Sequence, residues 1–206
     1  MRICARGYSA QPAGREYTGF AGFEPSLGGK WLELLSEIAP GLKRAAIMFN
    51  PDTALVSTFM PSLETAGRSL KIVPITAPVH SDAEVETAII ALGRDLGAGL
   101  LVIGDAFTTQ HRVSIILAAA RNNVPAVSFA AVFAREGGLL SYGPDPADSW
   151  RRAATYVDRI LRGEKPGDLP VQFPTKFEMV LNLKTAEALG LALPRSIRLL
   201  ANEVIE

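Results

Sequence analysis

At 206 residues the chain is about one and a half domains long, room for one large domain or two unequal ones. Hydrophobic residues make up 48%, charged residues 20% and aromatics 7%, the balance of a globular protein, which excludes disordered and collagen-like classes. Lys plus Arg and Asp plus Glu are each 21, so the formal net charge is +0 and the basic footprint of a nucleic-acid binder is missing.

The opening, Arg2 to Glu16, lacks periodic apolar positions and is broken by Gly7, Pro12 and Gly14; it reads as a poorly ordered loop or the stump of something longer. Met1 to Gly14 has arginines but no apolar h-region, so it is not a signal peptide, and no apolar run is long enough to span a membrane. Cys4 has no partner for an internal disulfide.

From Lys30 onward amphipathic helix-period segments alternate with short β-branched runs. Leu27 to Ile38 places Trp31, Leu34, Leu35 and Ile38 at helical spacing, with Ser26 as N-cap and Pro40 as stop. A strand is expected at Ala45 to Phe49, a helix at Ala54 to Ser69, a strand at Ile72 to Thr76 and a helix at Ala83 to Leu96. Then come a strand at Gly99 to Ile103, a helix at Thr108 to Asn122 and a strand at Ala126 to Phe129. Four strands each preceded by a helix need crossovers, which predicts an α/β fold with a parallel sheet flanked by helices. A short helix over Ala130 to Glu136 and a strand from Leu139 to Tyr142 follow, the strand broken by Gly143, Pro144 and Asp145. A helix from Asp148 to Arg162 comes next. Pro166, Pro170 and Pro174 make Glu164 to Pro174 a linker crossing between lobes. Phe177 to Leu181 supplies a strand, Thr185 to Leu189 a helix, and Ile197 to Ile205 a last apolar element.

No phosphate-cradling glycine motif and no nucleophile elbow occurs, and His80 and His111 are isolated from any nucleophile or ligand cluster. Neither a catalytic residue nor a metal or other cofactor is therefore assigned. Open parallel sheets bind at the carboxyl ends of their strands. Asn50, Asp105 with Phe107, and Ser128 with Phe129 all follow strand ends, while Tyr142 and Asp145 stand where the chain leaves the sheet. Asn50 and Asp105 equally suit helix caps, and Tyr142 and Asp145 equally suit a turn.

Several runs resemble the substrate-binding proteins of bacterial ABC transporters, the tryptophan/tyrosine-type group with a type I periplasmic-binding-protein fold. They are Gly28-Gly29-Lys30-Trp31-Leu32-Glu33-Leu34-Leu35, Phe49-Asn50-Pro51-Asp52-Thr53 and Gly137-Gly138-Leu139-Leu140-Ser141-Tyr142-Gly143-Pro144-Asp145. Lys165-Pro166 with Asp168-Leu169-Pro170, and Asn182-Leu183-Lys184-Thr185-Ala186, continue the likeness from Thr18 to the C-terminus. The resemblance implies two α/β lobes that close on a ligand. It divides the chain into a remnant at 1–26, a complete C-terminal lobe at 27–140, a crossover and helix at 141–176, and a return to that lobe at 177–206, with most of the N-terminal lobe missing. That lobe would cover the stripe Trp150, Ala154, Val157, Ile160 and Leu161, and without it ligand binding is expected to be weak.

The function implied is the solute-binding component of an ABC-type importer, periplasmic and partnered by a membrane permease, without chemistry and without nucleic acid or direct membrane insertion. A chain starting at Met1 with no leader would stay in the cytoplasm. Asn50, Asp105, Phe107, Ser128, Tyr142 and Asp145 are the expected ligand contacts: an Asp takes an ammonium, and Phe107 or Tyr142 covers an apolar body, which suits an amino-acid-like solute. A cytoplasmic ligand-sensing regulator of the same fold is the alternative, disfavoured because no helix-turn-helix precedes the lobe.

Overall fold

The computed structural model describes residues 18–206; the loop reading of Arg2 to Glu16, and Cys4, lie outside the described residues. The chain forms two units, one of residues up to Glu24 with Pro144–Phe177, the other of Pro25–Gly143 with Glu178–Glu206.

The larger unit starts with α1 (Leu27–Ile38), which matches the predicted span and buries Trp31, Leu34, Leu35 and Ile38 on one stripe. Ser26 precedes it in a helical conformation, and its hydroxyl makes no capping bond. The next elements are β1 (Arg44–Phe49), α2 (Met60–Leu70), β2 (Val73–Pro78), α3 (Asp82–Gly93) and β3 (Ala98–Val102). After them come α4 (Ala106–Gln110), α5 (Arg112–Arg121), β4 (Ala126–Ser128), α6 (Ala131–Arg135) and β5 (Leu140–Pro144). The chain returns through β6 (Phe177–Asn182), α8 (Leu183–Ala188), α9 (Arg195–Leu200) and β7 (Glu203–Ile205).

The seven strands form one sheet in the order β2-β1-β3-β4-β5-β6-β7. β1 pairs in parallel with β2 and β3, β3 with β4, and β4 with β5, as the alternation of helix and strand requires. β6 runs against β5: Asn182 N–H donates to Leu139 O at 3.0 Å and Asp145 N–H to Lys176 O at 2.9 Å, so numbers rise on one strand as they fall on the other. β7 is parallel to β6.

One face, with Ala46, Met48, Leu100, Val102 and Ala126, packs with Val85 and Ile89 of α3 and Ile115 and Ile116 of α5. The opposite face meets α1, which contacts β3 and β4 and also lies along α2. That helix pair explains Gly28: a Cβ there would stand 2.7 Å from Ser62 Oγ and 2.8 Å from the Phe59 carbonyl oxygen, so only glycine permits the approach. On the outer strand β2, the N–H groups of Val73 and of Val79 just beyond it turn inward to Lys43 O and Phe49 O at 2.9 Å. By alternation, Pro74, Thr76 and Pro78 face outward.

Several predicted spans differ, three of them before the chain reaches β6. The helix expected from Ala54 becomes a 3-10 turn at Val56–Thr58 followed by α2, because Asn50 first closes a turn in which Thr53 and Ala54 donate to its carbonyl. The helix expected over Thr108 to Asn122 is two, α4 and α5, jointed at His111. The strand expected to break at Gly143 continues to Pro144; a Cβ on Gly143 would lie 2.0 Å from Phe129 O, so glycine lets that carbonyl come close.

The smaller unit is built on α7 (Pro146–Leu161). Tyr156 is buried, donates to Pro170 O at 2.8 Å, accepts from Gln172 Nε2 at 2.7 Å and packs on Phe20 with ring centroids 4.9 Å apart. Arg152 donates to Phe173 O at 3.2 Å and Thr175 Oγ1 at 2.9 Å, so the proline-rich stretch lies along the helix. Trp150, Val157 and Leu161 are exposed on α7, Trp150 at 76%.

Candidate functional site

The chain runs from β1 to its neighbour β2 on one side, then crosses to β3 on the other. The strand order therefore reverses between β1 and β3, and in open α/β sheets such a switch point opens a crevice at the carboxyl ends. Asn50 and Asp105 stand on its two sides.

Asn50 is 6% exposed and its polar atoms are engaged. Oδ1 accepts from Asp52 N–H at 2.9 Å, which makes an Asx turn and not a helix cap; Nδ2 donates to Val79 O at 2.9 Å; the main-chain N–H donates to Asp105 Oδ2 at 2.9 Å. The other oxygen of Asp105 accepts from Thr108 N–H at 2.8 Å, while Thr108 Oγ1 accepts from Asp105 N–H at 3.1 Å. The Asp-x-x-Thr spacing is thus a reciprocal capping box on α4. Asp105 caps its helix and ties the β1 loop at once.

Phe107 turns partly inward, packs against the core and stacks on His111 with centroids 4.2 Å apart at 22°. His111 Nδ1 lies 2.9 Å from Asp82 Oδ1, and hydrogen bonds from His111 and Ser114 hold the Asp82 carboxyl below its usual range. Ser128, 5% exposed, lines a small pocket with Val102, Thr108, Phe129 and Phe133. Register places it level with Val102 and Met48, just under the edge that carries Asn50 and Asp105. Tyr142 is half-buried in β5, and its carbonyl accepts from Trp31 Nε1 at 2.7 Å. The indole itself is 2% exposed and tilted against Phe59 at 5.2 Å.

Asp145 belongs to the smaller unit. It caps α7 by accepting from Ala147 N–H at 2.8 Å and Asp148 N–H at 3.3 Å, with Lys176 Nζ 3.3 Å away. Partial burial works to raise its pKa, but those N–H groups and the ammonium outweigh it and hold the carboxyl below the usual range.

The larger unit thus brings Asn50, Asp105, Phe107, Ser128 and Tyr142 to one end of the sheet, with Asn50 and Asp105 in contact. Sequence reasoning missed Ser141, register partner of Ser128, and Trp31 as support for β5; the first stood inside a quoted run and the second inside a predicted helix. Among the described residues no group of three His, Cys, Asp or Glu side chains could hold a metal, and no helix is long and apolar enough to cross a membrane. Backbone-anchored polar groups at a switch point can bind and orient a small molecule.

Such a sheet, with its order reversing between β1 and β3, defines an open α/β fold. Residues 9–205 match the model of the family described as ABC transporter substrate binding protein, and the chain belongs to that family. A tyrosine-binding protein of Clostridioides difficile is 22% identical over 162 residues, 79% of this chain and 47% of the relative, so the chain spans about half the length of that curated protein. A conserved domain protein from Vibrio cholerae superposes with TM-score 0.80 at 26% identity, over 91% of this chain and 62% of that one. An ABC domain from Streptococcus pneumoniae, solved in complex with L-Trp, shares the fold with TM-score 0.78 at 20% identity, over 91% and 64%.

Proposed function

We propose that the protein is the solute-binding component of an ABC-type importer, holding a small, amino-acid-like molecule at the carboxyl edge of the larger unit's sheet and passing it to a membrane permease without a chemical step. The observation that carries this reading is the Asn50–Asp105 bond across the switch point, in a chain of the substrate-binding family. Both Asp105 oxygens are fixed by main-chain N–H groups and keep lone pairs for a solute ammonium. Phe107 and Tyr142 supply aromatic surface, and Ser128 a hydroxyl. The names of the relatives favour tyrosine or tryptophan as first probes. The family match supports work on the outer side of the cytoplasmic membrane.

Calorimetric titration against the proteinogenic amino acids, with the solute recovered and weighed against input, is the test. Weak but saturable binding of at least one of them, with full recovery, is expected. A panel without any binding, or consumption of the bound solute, overturns the proposal.

A further inference from the structure

Trp31 sits on α1, 2% exposed, with its ring tilted against Phe59 at the head of α2. Its Nε1–H donates to the main-chain carbonyl of Tyr142 at 2.7 Å. Topology explains why that carbonyl takes a side-chain donor. Asn182 N–H donates to Leu139 O, so along this strand the odd positions bond toward β6, and by alternation Leu140 and Tyr142 turn their main-chain groups toward β4. The ladder between β4 and β5 holds Val127 level with Leu140 and Ser128 level with Ser141, and there β4 ends. Tyr142 stands one residue past the last rung. A half-buried carbonyl in that place needs a donor, and the indole supplies it.

Register puts Ser141 on the face of Met48 and Val102, so the Tyr142 side chain projects to the other face, the one α1 covers. Ring and indole are therefore on the same side of the sheet. Holding the carbonyl fixes the plane of the peptide between Tyr142 and Gly143, and with it the backbone angle from which the Tyr142 side chain is aimed. Gly143, without a Cβ, restrains that peptide little by itself. The anchor is firm: α1 and α2 pack so closely that a Cβ on Gly28 would stand 2.8 Å from the Phe59 carbonyl oxygen. One hydrogen bond thus carries the position of a well-packed helix pair to the carboxyl edge of the sheet.

We infer that Trp31 is a positioning residue for solute binding, which through the Tyr142 carbonyl sets the stance of the Tyr142 ring before the solute arrives. The inference rests on the solute-binding reading above, with Tyr142 as a contact. A ring aimed in advance loses less freedom when the solute is covered, so the benefit appears as affinity.

Trp31 and Trp150 are the two tryptophans of the chain, so in a Trp150→Phe background benzothienylalanine supplied in place of tryptophan enters at position 31 alone. That analogue keeps the shape of the indole and puts sulfur where the N–H was. The probe is the proteinogenic amino acid that the parent binds best, L-tyrosine first, titrated calorimetrically at a temperature where each protein is folded. Loss of the N–H is expected to weaken binding about fivefold with Tyr142 present, and to change it by less than about twofold in Tyr142→Val, where no ring is left to aim. An equal loss in both backgrounds overturns the inference, because Trp31 then supports the fold as a whole; no loss with Tyr142 present overturns it too. A second readout leaves both residues intact: the indole N–H resonance of Trp31 in Trp150→Phe is expected to shift on saturation with the same amino acid, and a resonance that stays in place overturns the inference. Should the parent bind no amino acid of the panel, the solute-binding reading falls and takes this role with it, whereas binding with equal losses sinks the role of Trp31 alone.

Discussion

The main-chain N–H of Asn50 donates to Asp105 Oδ2 at 2.9 Å, joining the loops that leave β1 and β3. One carboxylate thus caps α4 and closes the switch point. A charge used twice in the structure is exposed to loss twice over when it is changed.

Asp105→Ala removes the cap and leaves the Asn50 N–H without its acceptor, and the two losses together should cost about 2–4 kcal/mol in urea unfolding. Asp105→Asn keeps one acceptor oxygen and should fall between. Solute affinity has to be measured on both at a temperature where each is folded, because a carboxylate role in binding shows as loss in Asp105→Asn beyond its loss of stability. An Asp105→Ala variant as stable as the parent would show that the bond across the switch point contributes nothing.

Gly28→Ala should destabilise by about 1–3 kcal/mol, since the added methyl meets the Phe59 carbonyl, which as backbone cannot swing away. The better helix propensity of alanine, about 1 kcal/mol, offsets only part of this. Gly22→Ala is the control: nothing lies within 4 Å of a Cβ there, so its melting temperature should stay level or rise slightly. Equal melting of the two variants would refute close approach as the reason for Gly28.

Asp145 carries a pH signature. Its folded pKa is depressed, so its contribution to stability is present above the unfolded value and fades as pH falls through the folded one. The stability gap between parent and Asp145→Asn should therefore be widest near neutrality and shrink below about pH 4. Lys176→Gln should raise the carboxyl midpoint in an NMR titration, because the ammonium beside Asp145 helps hold it low. A gap that widens on acidification would contradict the assignment.

Local pattern sufficed where local physics decides. Leu27 to Ile38 was legible because its apolar spacing is helical, and Ala45 to Phe49 because a short apolar run closed by Asn50 and Pro51 has few alternatives. It failed where distant residues decide. His111 joints two helices beside Asp82, 29 positions away. The apolar stretch from Ile197 divides into α9 and β7 at Asn202, whose side-chain oxygen accepts from Met179 N–H at 2.8 Å while its own N–H donates to Met179 O at 2.9 Å. At the candidate site the positions after strand ends were legible from the topological rule. That the amide of Asn50 is already committed to Val79 and Asp52, and that Phe107 leans onto His111, depends on contacts no spacing announces.

The prolines of β2 bear on how the protein behaves in company. Two of the three outward positions on that margin have no hydrogen to donate, which leaves Thr76 as the lone N–H on offer to a passing strand. The opposite margin, β7, is three residues long. Both flanks of the sheet are thus poor templates for the growth of a fibril, so concentrated protein should resist cross-β aggregation by edge pairing even though α7 presents apolar surface.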